Sequence, residues 1–150
     1  MDFVSIRIVT GDVARLVDFY ERATGVPASW SNQDFAELRT TCAALAIAST
    51  RTVALVAPDA ARPSDNRSVI IEFLVDDVDG VHQNLTGFVA DFVNEPTTMP
   101  WGNRSLLFRD PDGNLVNFFT PVTPAAIEKF ARRRQRSRPT GASTGVPGSQ

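Results

Sequence analysis

The stretch RSLLFRDPDGNLVNFFT, residues 104–120, carries the strongest structural signal in the chain. In its middle, the pentapeptide DPDGN at 110–114 places a proline at the first corner of a turn and a glycine where a positive φ is needed. Apolar runs at 104–109 and 115–120 flank the turn and are typical of strands. The stretch therefore predicts a β-hairpin, in which we expect the turn to be structural rather than chemical.

The chain repeats itself around this hairpin. An Asp-Val pair stands at 12–13 and again, 65 positions later, at 77–78. Each pair follows a run with strand-like alternation, 3–9 or 69–75, and precedes the apolar spacing of an amphipathic helix. We therefore expect each aspartate to cap a helix, the first of which ends near Gly25.

Short strand-like runs complete each half of the repeat. They lie at 34–39, 42–48 and 52–57 in the first half, and at 89–93, 104–109 and 115–120 in the second. Both halves then have the pattern βαβββ, and a stretch rich in Pro, Ser, Asp and Asn at 58–66 connects them. The sequence predicts one α+β domain at 1–123, made of two units at about 3–57 and 68–121.

Composition places the chain among single globular domains. Its 150 residues are 43% hydrophobic, and no apolar run approaches the roughly 20 residues that cross a bilayer. Since the N-terminus also lacks the features of a signal peptide, we expect a cytoplasmic location and no membrane partner. The single cysteine, Cys42, cannot form an internal disulfide, and we interpret it as a small buried hydrophobic residue.

The C-terminal end differs from the body in charge. Six basic residues and one acidic residue stand between Glu128 and Arg138, although the whole chain has a net charge of only −2. The acidic body argues against nucleic-acid binding, for which the basic segment alone is a candidate; a solvated helix end is the alternative that we favour. We predict a C-terminal helix at 124–135, packed on the body, and a disordered basic and Gly/Ser/Pro-rich tail at 136–150.

Several of these motifs together resemble the vicinal oxygen chelate superfamily, which includes glyoxalase I, extradiol dioxygenases and bleomycin resistance proteins. They are the repeated Asp-Val helix starts, Phe19-Tyr20 and Gly25, Trp101-Gly102 and the DPDGN turn, and they cover about residues 3–121. The resemblance implies that each unit curls an open sheet into half of a cup. The helices would then lie on the convex side, and the concave faces would line a ligand cavity.

The resemblance also implies where a metal ion would be bound, and the residues at those positions are poor ligands. The position usually held by histidine on the first strand is Ser5, and its counterpart in the second unit is Ile70. The carboxylate position on the last strand is Asn117, and its counterpart falls near Ala54. Because divalent cations need several oxygen or imidazole ligands, we expect no metal ion and no other cofactor.

Charged residues share the predicted cavity face with these positions. Alternation along a strand places Arg7 on the same side as Ser5, and Glu72 on the same side as Ile70. We hypothesise that Arg7 and Glu72 meet as an ion pair near the axis that relates the two units. The alternatives are that both reach solvent at the rim of the cup, or that Arg7 binds an anionic group of a ligand.

Aromatic residues supply further candidates for the cavity. The resemblance implies that Trp30, Phe35 and Trp101 lie near the mouth of the cup, where flat rings can stack on a planar ligand. The alternative for each is that it fills the core or an interface, and Trp101 is the best individual candidate. The predicted ligand-binding residues are thus Trp101, Arg7, Glu72, Asn117, Trp30 and Phe35, and no catalytic residue is assigned.

Three functions remain open from the sequence. The first, favoured by the poor metal ligands, is metal-independent binding of a small planar or aromatic molecule by a homodimer with grooves between its subunits. The second is a metal-dependent lyase, isomerase or dioxygenase in which Glu72, His82 or Glu37 enters the metal site. We expect His82, the only histidine, to lie exposed or at the edge of the second helix. The third is an interaction protein that uses its basic tail.

Overall fold

The computed structural model describes residues 1–136, which form two βαβββ units and a final helix. The first unit consists of β1 (Ser5–Thr10), α1 (Val13–Thr24), β2 (Ala28–Asn32), β3 (Phe35–Arg39) and β4 (Ala44–Ser49), and a short helix, α2 (Thr50–Ala54), follows it. The second unit consists of β5 (Ile70–Leu74), α3 (Val78–Leu85), β6 (Thr97–Thr98), β7 (Asn103–Arg109) and β8 (Leu115–Pro121), and α4 (Pro124–Arg136) follows it. None of the helices in residues 1–136 has both the length and the apolar character needed to cross a membrane. Apart from Arg136, the predicted tail at 136–150 lies outside the described residues.

Both predicted helix starts are confirmed. Asp12 Oδ1 accepts a hydrogen bond from the backbone N–H of Arg15 (3.0 Å), and Asp77 Oδ1 accepts one from the backbone N–H of Gly80 (3.1 Å). Capping of this kind stabilises a helix by about 1 kcal/mol. α1 ends at Gly25, whose φ of +69° is a left-handed conformation that glycine adopts without steric strain. Local signals in the sequence therefore determine where both helices begin and where α1 ends.

Each unit forms an open four-stranded sheet, with the strand orders β1-β4-β3-β2 and β5-β8-β7-β6. The first and last strands of a unit run parallel, whereas its other neighbouring strands run antiparallel. β1 and β5 are therefore edge strands, and no strand of residues 1–136 pairs with their outer side. The predicted α+β class, with two open sheets and a helix against each, is confirmed.

One hydrophobic core lies between the two sheets, and it includes side chains of both sheets, α1 and α3. Phe19 of α1 packs against Phe108 of β7, with ring centroids 6.2 Å apart, and Tyr20 packs against Phe73 of β5 at 6.5 Å. Because α1 contacts the core side of both sheets, the other side of each sheet is directed outwards. We call these sides the first open face (Arg7, Phe35, Glu37 and Ala46) and the second open face (Glu72, Leu107, Asn117 and Phe119).

The DPDGN turn joins the two units through buried polar contacts. Asp110 accepts hydrogen bonds from the backbone N–H groups of Asp112 and Asn114 (both 2.9 Å) and from the side chain of Asn114 (2.8 Å). It also accepts one from the hydroxyl of Tyr20 in α1 (2.7 Å), and Arg15 of α1 forms an ion pair with Asp112. Burial, and then the adjacent Asp110 carboxylate, raises the pKa of Tyr20 well above its ordinary value. The predicted turn is confirmed, and it also holds α1 against the second unit.

Two strand predictions are wrong, although the βαβββ pattern is right. The run at 52–57 contains part of α2 and a turn, and Leu55 in it is 88% exposed. The remaining strand of the first unit is instead β2. Its side chains are mostly exposed and show no apolar alternation. The run at 89–93 is a loop in which Phe92 forms an isolated bridge with Phe108. A run of β-branched and apolar residues predicts a strand wrongly where the residues are not buried. An edge strand made of polar residues is not predicted, because it shows no apolar alternation.

Cys42 is exposed, contrary to the prediction that it is buried. It lies in the tight turn between β3 and β4, where Thr40 Oγ1 accepts hydrogen bonds from the backbone N–H groups of Cys42 (3.4 Å) and Ala43 (3.3 Å). The run that suggested burial enters the sheet only at Ala44. The turn residues before it therefore remain at the surface.

Candidate ligand-binding site

On the first open face, two charged side chains flank the small side chain of Ala46. In the register of the first sheet, Arg7 of β1 and Glu37 of β3 lie on either side of Ala46 in β4. Arg7 is exposed, and its guanidinium carbon lies 5.4 Å from the centroid of the Phe35 ring. Glu37 accepts two hydrogen bonds from Arg39, at 3.0 and 2.6 Å. Arg7 is thus stacked on an aromatic ring, and Glu37 is paired with an arginine of the same unit.

The second open face has a carboxylate and an amide at the corresponding place. Glu72 of β5 and Leu107 of β7 lie on either side of Asn117 in β8. Asn117 Nδ2 donates a hydrogen bond to Glu72 Oε1 (2.9 Å), whereas Asn117 Oδ1 is buried and has no partner among the described side chains of residues 1–131. Glu72 is exposed. The structure therefore brings together two of the predicted ligand-binding residues, Glu72 and Asn117.

The C-terminal helix covers one end of the second open face. Phe130 of α4 packs on Phe119 of β8, with ring centroids 5.1 Å apart, and Ala126, one turn earlier in α4, is buried. Ser105 lies opposite Phe119 in the register and is 2% exposed. The sequence predicted a helix packed on the body, but it did not indicate which face the helix covers.

The predicted ion pair between Arg7 and Glu72 is not formed. The equivalence of the two residues holds, because they occupy matching register positions beside Ala46 and Asn117. Both side chains are exposed, however, and among the described residues neither is the other's ion-pair partner. The reason is the shared core: since α1 packs against the core side of both sheets, the two open faces of one chain turn outwards and do not converge.

Comparison with known proteins identifies the family of this fold. The family model described as Glyoxalase/Bleomycin resistance protein/Dioxygenase superfamily matches residues 2–118. The chain belongs to this superfamily. The resemblance seen in the sequence is thereby confirmed, and a glyoxalase/bleomycin resistance/dioxygenase domain spans both βαβββ units as far as β8.

Similar proteins share the fold at low sequence identity. A crystal structure of a glyoxalase/bleomycin resistance protein/dioxygenase from Nocardioides is 21% identical, with a TM-score of 0.68 over 83% of this chain and 85% of that one. A structure of a family enzyme from Burkholderia phytofirmans PsJN is 17% identical, with a TM-score of 0.71 over 81% of this chain and 100% of that one. The uncharacterized protein YraH of Bacillus subtilis (strain 168) is 26% identical over an alignment of 125 positions that covers 79% of this chain and 98% of YraH. The structural likeness shows the fold, so the chemistry of the site has to be argued from its side chains.

The metal positions implied by the superfamily do not fit a metal ion in this chain. They hold Ser5 and Ile70 on the first strands of the units and Asn117 on the last strand of the second unit. The counterpart of Asn117 in the register is Ala46, rather than a residue near Ala54, which lies in α2. None of these side chains is an imidazole or a carboxylate. Throughout residues 1–136, no group of three or more His, Cys, Asp or Glu residues could hold a metal ion.

The alternative metal ligands are not brought together. Glu72 lies on the second open face, and Glu37 lies on the first open face. His82 is on α3, where its Nδ1 is 3.6 Å from Glu95 Oε2 and its ring centroid is 5.0 Å from that of Phe92. Within one chain, the three residues, any of which was a candidate to enter a metal site, therefore stand on three separate parts of the molecule.

The two tryptophans occupy different kinds of position. Trp101 is 67% exposed in the turn between β6 and β7, where the following Gly102 has a φ of +91°. A Cβ at Gly102 would lie 2.0 Å from Thr123 Oγ1, so the turn requires glycine there. Trp30 is in β2 and pairs with Ala36, a fully buried residue on the core side of the first sheet. Trp101 is thus accessible to a ligand, whereas Trp30 does not share the first open face.

Proposed function

We propose that this member of the superfamily binds a small planar or aromatic molecule without a metal ion. The observation that carries the proposal is the hydrogen-bonded pair of Glu72 and Asn117. Asn117 stands at one of the positions that the resemblance implies for a metal ligand. The apolar side chains of Leu107 and Leu115 lie beside this pair in the register. A few polar groups among apolar ones are typical of small-molecule sites. The cytoplasmic location predicted from the sequence stays part of this proposal.

We propose further that a second copy of the chain completes the site. Since the open faces of one chain turn outwards, neither face encloses a ligand within one chain. The edge strands β1 and β5 have exposed apolar residues beside them, among them Val4 at 70% and Ile70 at 45%. Such edges and patches favour association. A homodimer would place the first open face of one copy over the second open face of its partner and enclose a groove between them.

Fluorescence titration tests the proposed binding. Trp30 and Trp101 are the only tryptophans, so the variants Trp30→Phe and Trp101→Phe each retain one reporter. We expect 2-naphthol, an uncharged planar compound, to quench Trp101 saturably in Trp30→Phe and to leave Trp30 nearly unquenched in Trp101→Phe. Light scattering should give twice the mass of one chain. A lack of saturable quenching in both variants would reject the proposed binding.

Metal analysis distinguishes this proposal from a metal-dependent enzyme. The purified protein would be analysed for bound metal, and its melting temperature would be measured with added manganese, iron, nickel and zinc. We expect no stoichiometric metal and no rise in melting temperature. A rise that Glu72→Gln abolishes would instead favour the enzyme.

A further inference from the structure

The second open face contains three buried polar atoms with unused hydrogen-bonding capacity. Asn117 is 8% exposed, and after its Nδ2 has donated to Glu72, its Oδ1 has no partner in the described chain. Ser105 Oγ and Asn103 Oδ1, also on this face, are likewise buried without a partner in the described residues. A buried polar atom without a hydrogen bond is unfavourable, and most such atoms in proteins are satisfied. Of these three atoms, Asn117 Oδ1 lies beside the exposed Glu72, so it indicates a place where a bound molecule supplies the missing hydrogen bond.

The chemistry of this place is that of an acceptor with a negative charge. A carboxylate and an amide oxygen only accept hydrogen bonds, so Asn117 Oδ1 requires a donor, and Glu72, which already accepts from Asn117 Nδ2, can accept further ones. Arg109, the arginine of β7 on this face, donates from Nη1 to the carbonyl of Gly113 (3.0 Å), and its Nε lies 3.7 Å from Asp91 Oδ2. Among the side chains of residues 1–131, Glu72 has no ion-pair partner, and Glu72 is exposed. Its charge is therefore available to a ligand.

Apolar side chains frame the acceptors. Leu107 lies beside Asn117 in the register, and Leu115 lies between Ile70 and Arg109. Ile70 is 45% exposed and lies on the same side of β5 as Glu72. A molecule that reaches Glu72 would lay its remaining surface on these side chains. An apolar or aromatic body attached to the donor group fits this arrangement.

We infer that the second open face binds a planar cation with several N–H donors, namely an amidinium or guanidinium group carried on an aromatic or apolar body. A planar cation of this kind donates two parallel hydrogen bonds to a carboxylate, and it has a further N–H for a neighbouring acceptor such as Asn117 Oδ1. The inference rests on the proposed function, for which it names the ligand class.

Three isosteric compounds test the ligand class. Benzamidine, benzamide and benzoate have nearly the same shape, but they are a cation, a neutral amide and an anion. Proton–nitrogen NMR spectra of the full chain, titrated with each compound, would give affinities and would follow the side-chain amide of Asn117. We expect benzamidine to bind most tightly and to shift the Asn117 amide, benzamide to bind more weakly, and benzoate not to bind.

Variants of Glu72 locate the binding. Glu72→Gln keeps the size of the side chain and removes its charge, so we expect the affinity for benzamidine to fall about tenfold or more while that for benzamide changes little. Glu72→Lys should reverse the order, so that benzoate binds more tightly than benzamidine. The matched control is Glu95→Gln, which removes an exposed carboxylate next to α3 and should leave the affinity for benzamidine unchanged.

The ligand class fails if benzamidine does not bind, if the three compounds bind equally, or if Glu72→Gln binds benzamidine as the unaltered chain does. The titration with 2-naphthol separates this failure from that of the proposed function. Binding of 2-naphthol without a preference for benzamidine would overturn the ligand class alone. If neither compound binds, the proposed function fails as well.

Discussion

At matching positions of the register, the first open face has Arg7 beside Ala46, whereas the second has Glu72 beside Asn117. On the first, Glu37 is paired within its own unit. On the second, Asn117 keeps a buried acceptor without a partner in the described residues. The repeat has preserved the backbone and exchanged the side chains. The two units therefore contribute different chemistry to any molecule that contacts both.

The hairpin turns of the two units differ in a similar way. The turn between β3 and β4 is exposed, and Thr40 makes its side-chain hydrogen bonds at the surface. The corresponding DPDGN turn between β7 and β8 is largely buried, and it contacts α1 of the other unit through Asp110. The second unit is thus anchored to the first through its turn.

We expect the largest effect on stability from a substitution of Asp110, which removes the buried contacts of the DPDGN turn. Asp110→Ala removes the acceptor of four hydrogen bonds, one of them from Tyr20. We expect the free energy of unfolding in urea to fall by about 3 kcal/mol or more, because buried donors lose their partners. Thr40→Ala in the exposed turn is the control and should cost less than about 1 kcal/mol. Equal losses in the two variants would contradict the comparison.

The next effect concerns α4, which covers the second open face only. Phe130→Ala removes the ring that packs on Phe119. Since Phe130 is half-buried, we expect a loss of about 2 kcal/mol in unfolding free energy, below that of a fully buried phenylalanine. Ile127→Ala, at a position that is 52% exposed on the same helix, should change stability by less than about 0.5 kcal/mol. Similar small values for both would mean that α4 is not packed on the sheet.

The pH dependence of stability tests the buried contact between Tyr20 and Asp110. Its pKa in the folded chain is raised above the ordinary value of 10.0, first by burial and then by Asp110. The stabilisation is therefore fully present below pH 10.0 and is lost as the pH rises towards the folded pKa. In that range, unfolding free energy should fall by up to about 1.4 kcal/mol per pH unit more than in Tyr20→Phe.

Tyr20 is also the only tyrosine, so the absorbance of tyrosinate reports its ionisation directly. We expect no ionisation of the folded chain near pH 10.0 and an abrupt appearance of tyrosinate on unfolding. A normal titration curve in the folded chain would show that the hydroxyl is not held in a buried contact with Asp110.

The smallest effect is expected on the first open face. Arg7 is exposed and contacts the ring of Phe35 rather than a carboxylate. Arg7→Gln should therefore change the unfolding free energy by less than about 0.5 kcal/mol, measured at low protein concentration. A loss of more than about 1 kcal/mol would show that Arg7 has a stronger partner within the folded chain.

The sequence predicted those parts of the fold that depend on local chemistry. Asp12, Asp77 and Gly25 act where their capping preferences place them, and the DPDGN turn forms as its proline and glycine require. β2 was not predicted because an exposed edge strand needs no apolar alternation. The run at 52–57 has the composition of a strand, but it finds no neighbour to pair with and ends in exposed residues such as Leu55. Pairing and burial are properties of the whole fold.

The candidate site was also predicted only in part, because it too depends on how the whole fold packs. The repeat correctly made Arg7 and Glu72 equivalent, and it placed Asn117 in the strand next to Glu72. It could not show which sides of the two sheets pack together, so the ion pair was wrong. The contact of Tyr20 with Asp110 was also missed, because the residues are 90 positions apart and only the packing of α1 on the second unit brings them together.

The packing of α1 on the second unit means that neither half of the chain can bury its apolar surface alone. Phe19 and Tyr20 of the first unit complete the core around Phe73 and Phe108 of the second, so each half alone would leave apolar surface in water. The connection at 58–66 contains no strand and crosses from one unit to the other. Cut there and produced as two fragments, the protein would fold only when the fragments meet, and its refolding would report on the proximity of whatever they are fused to.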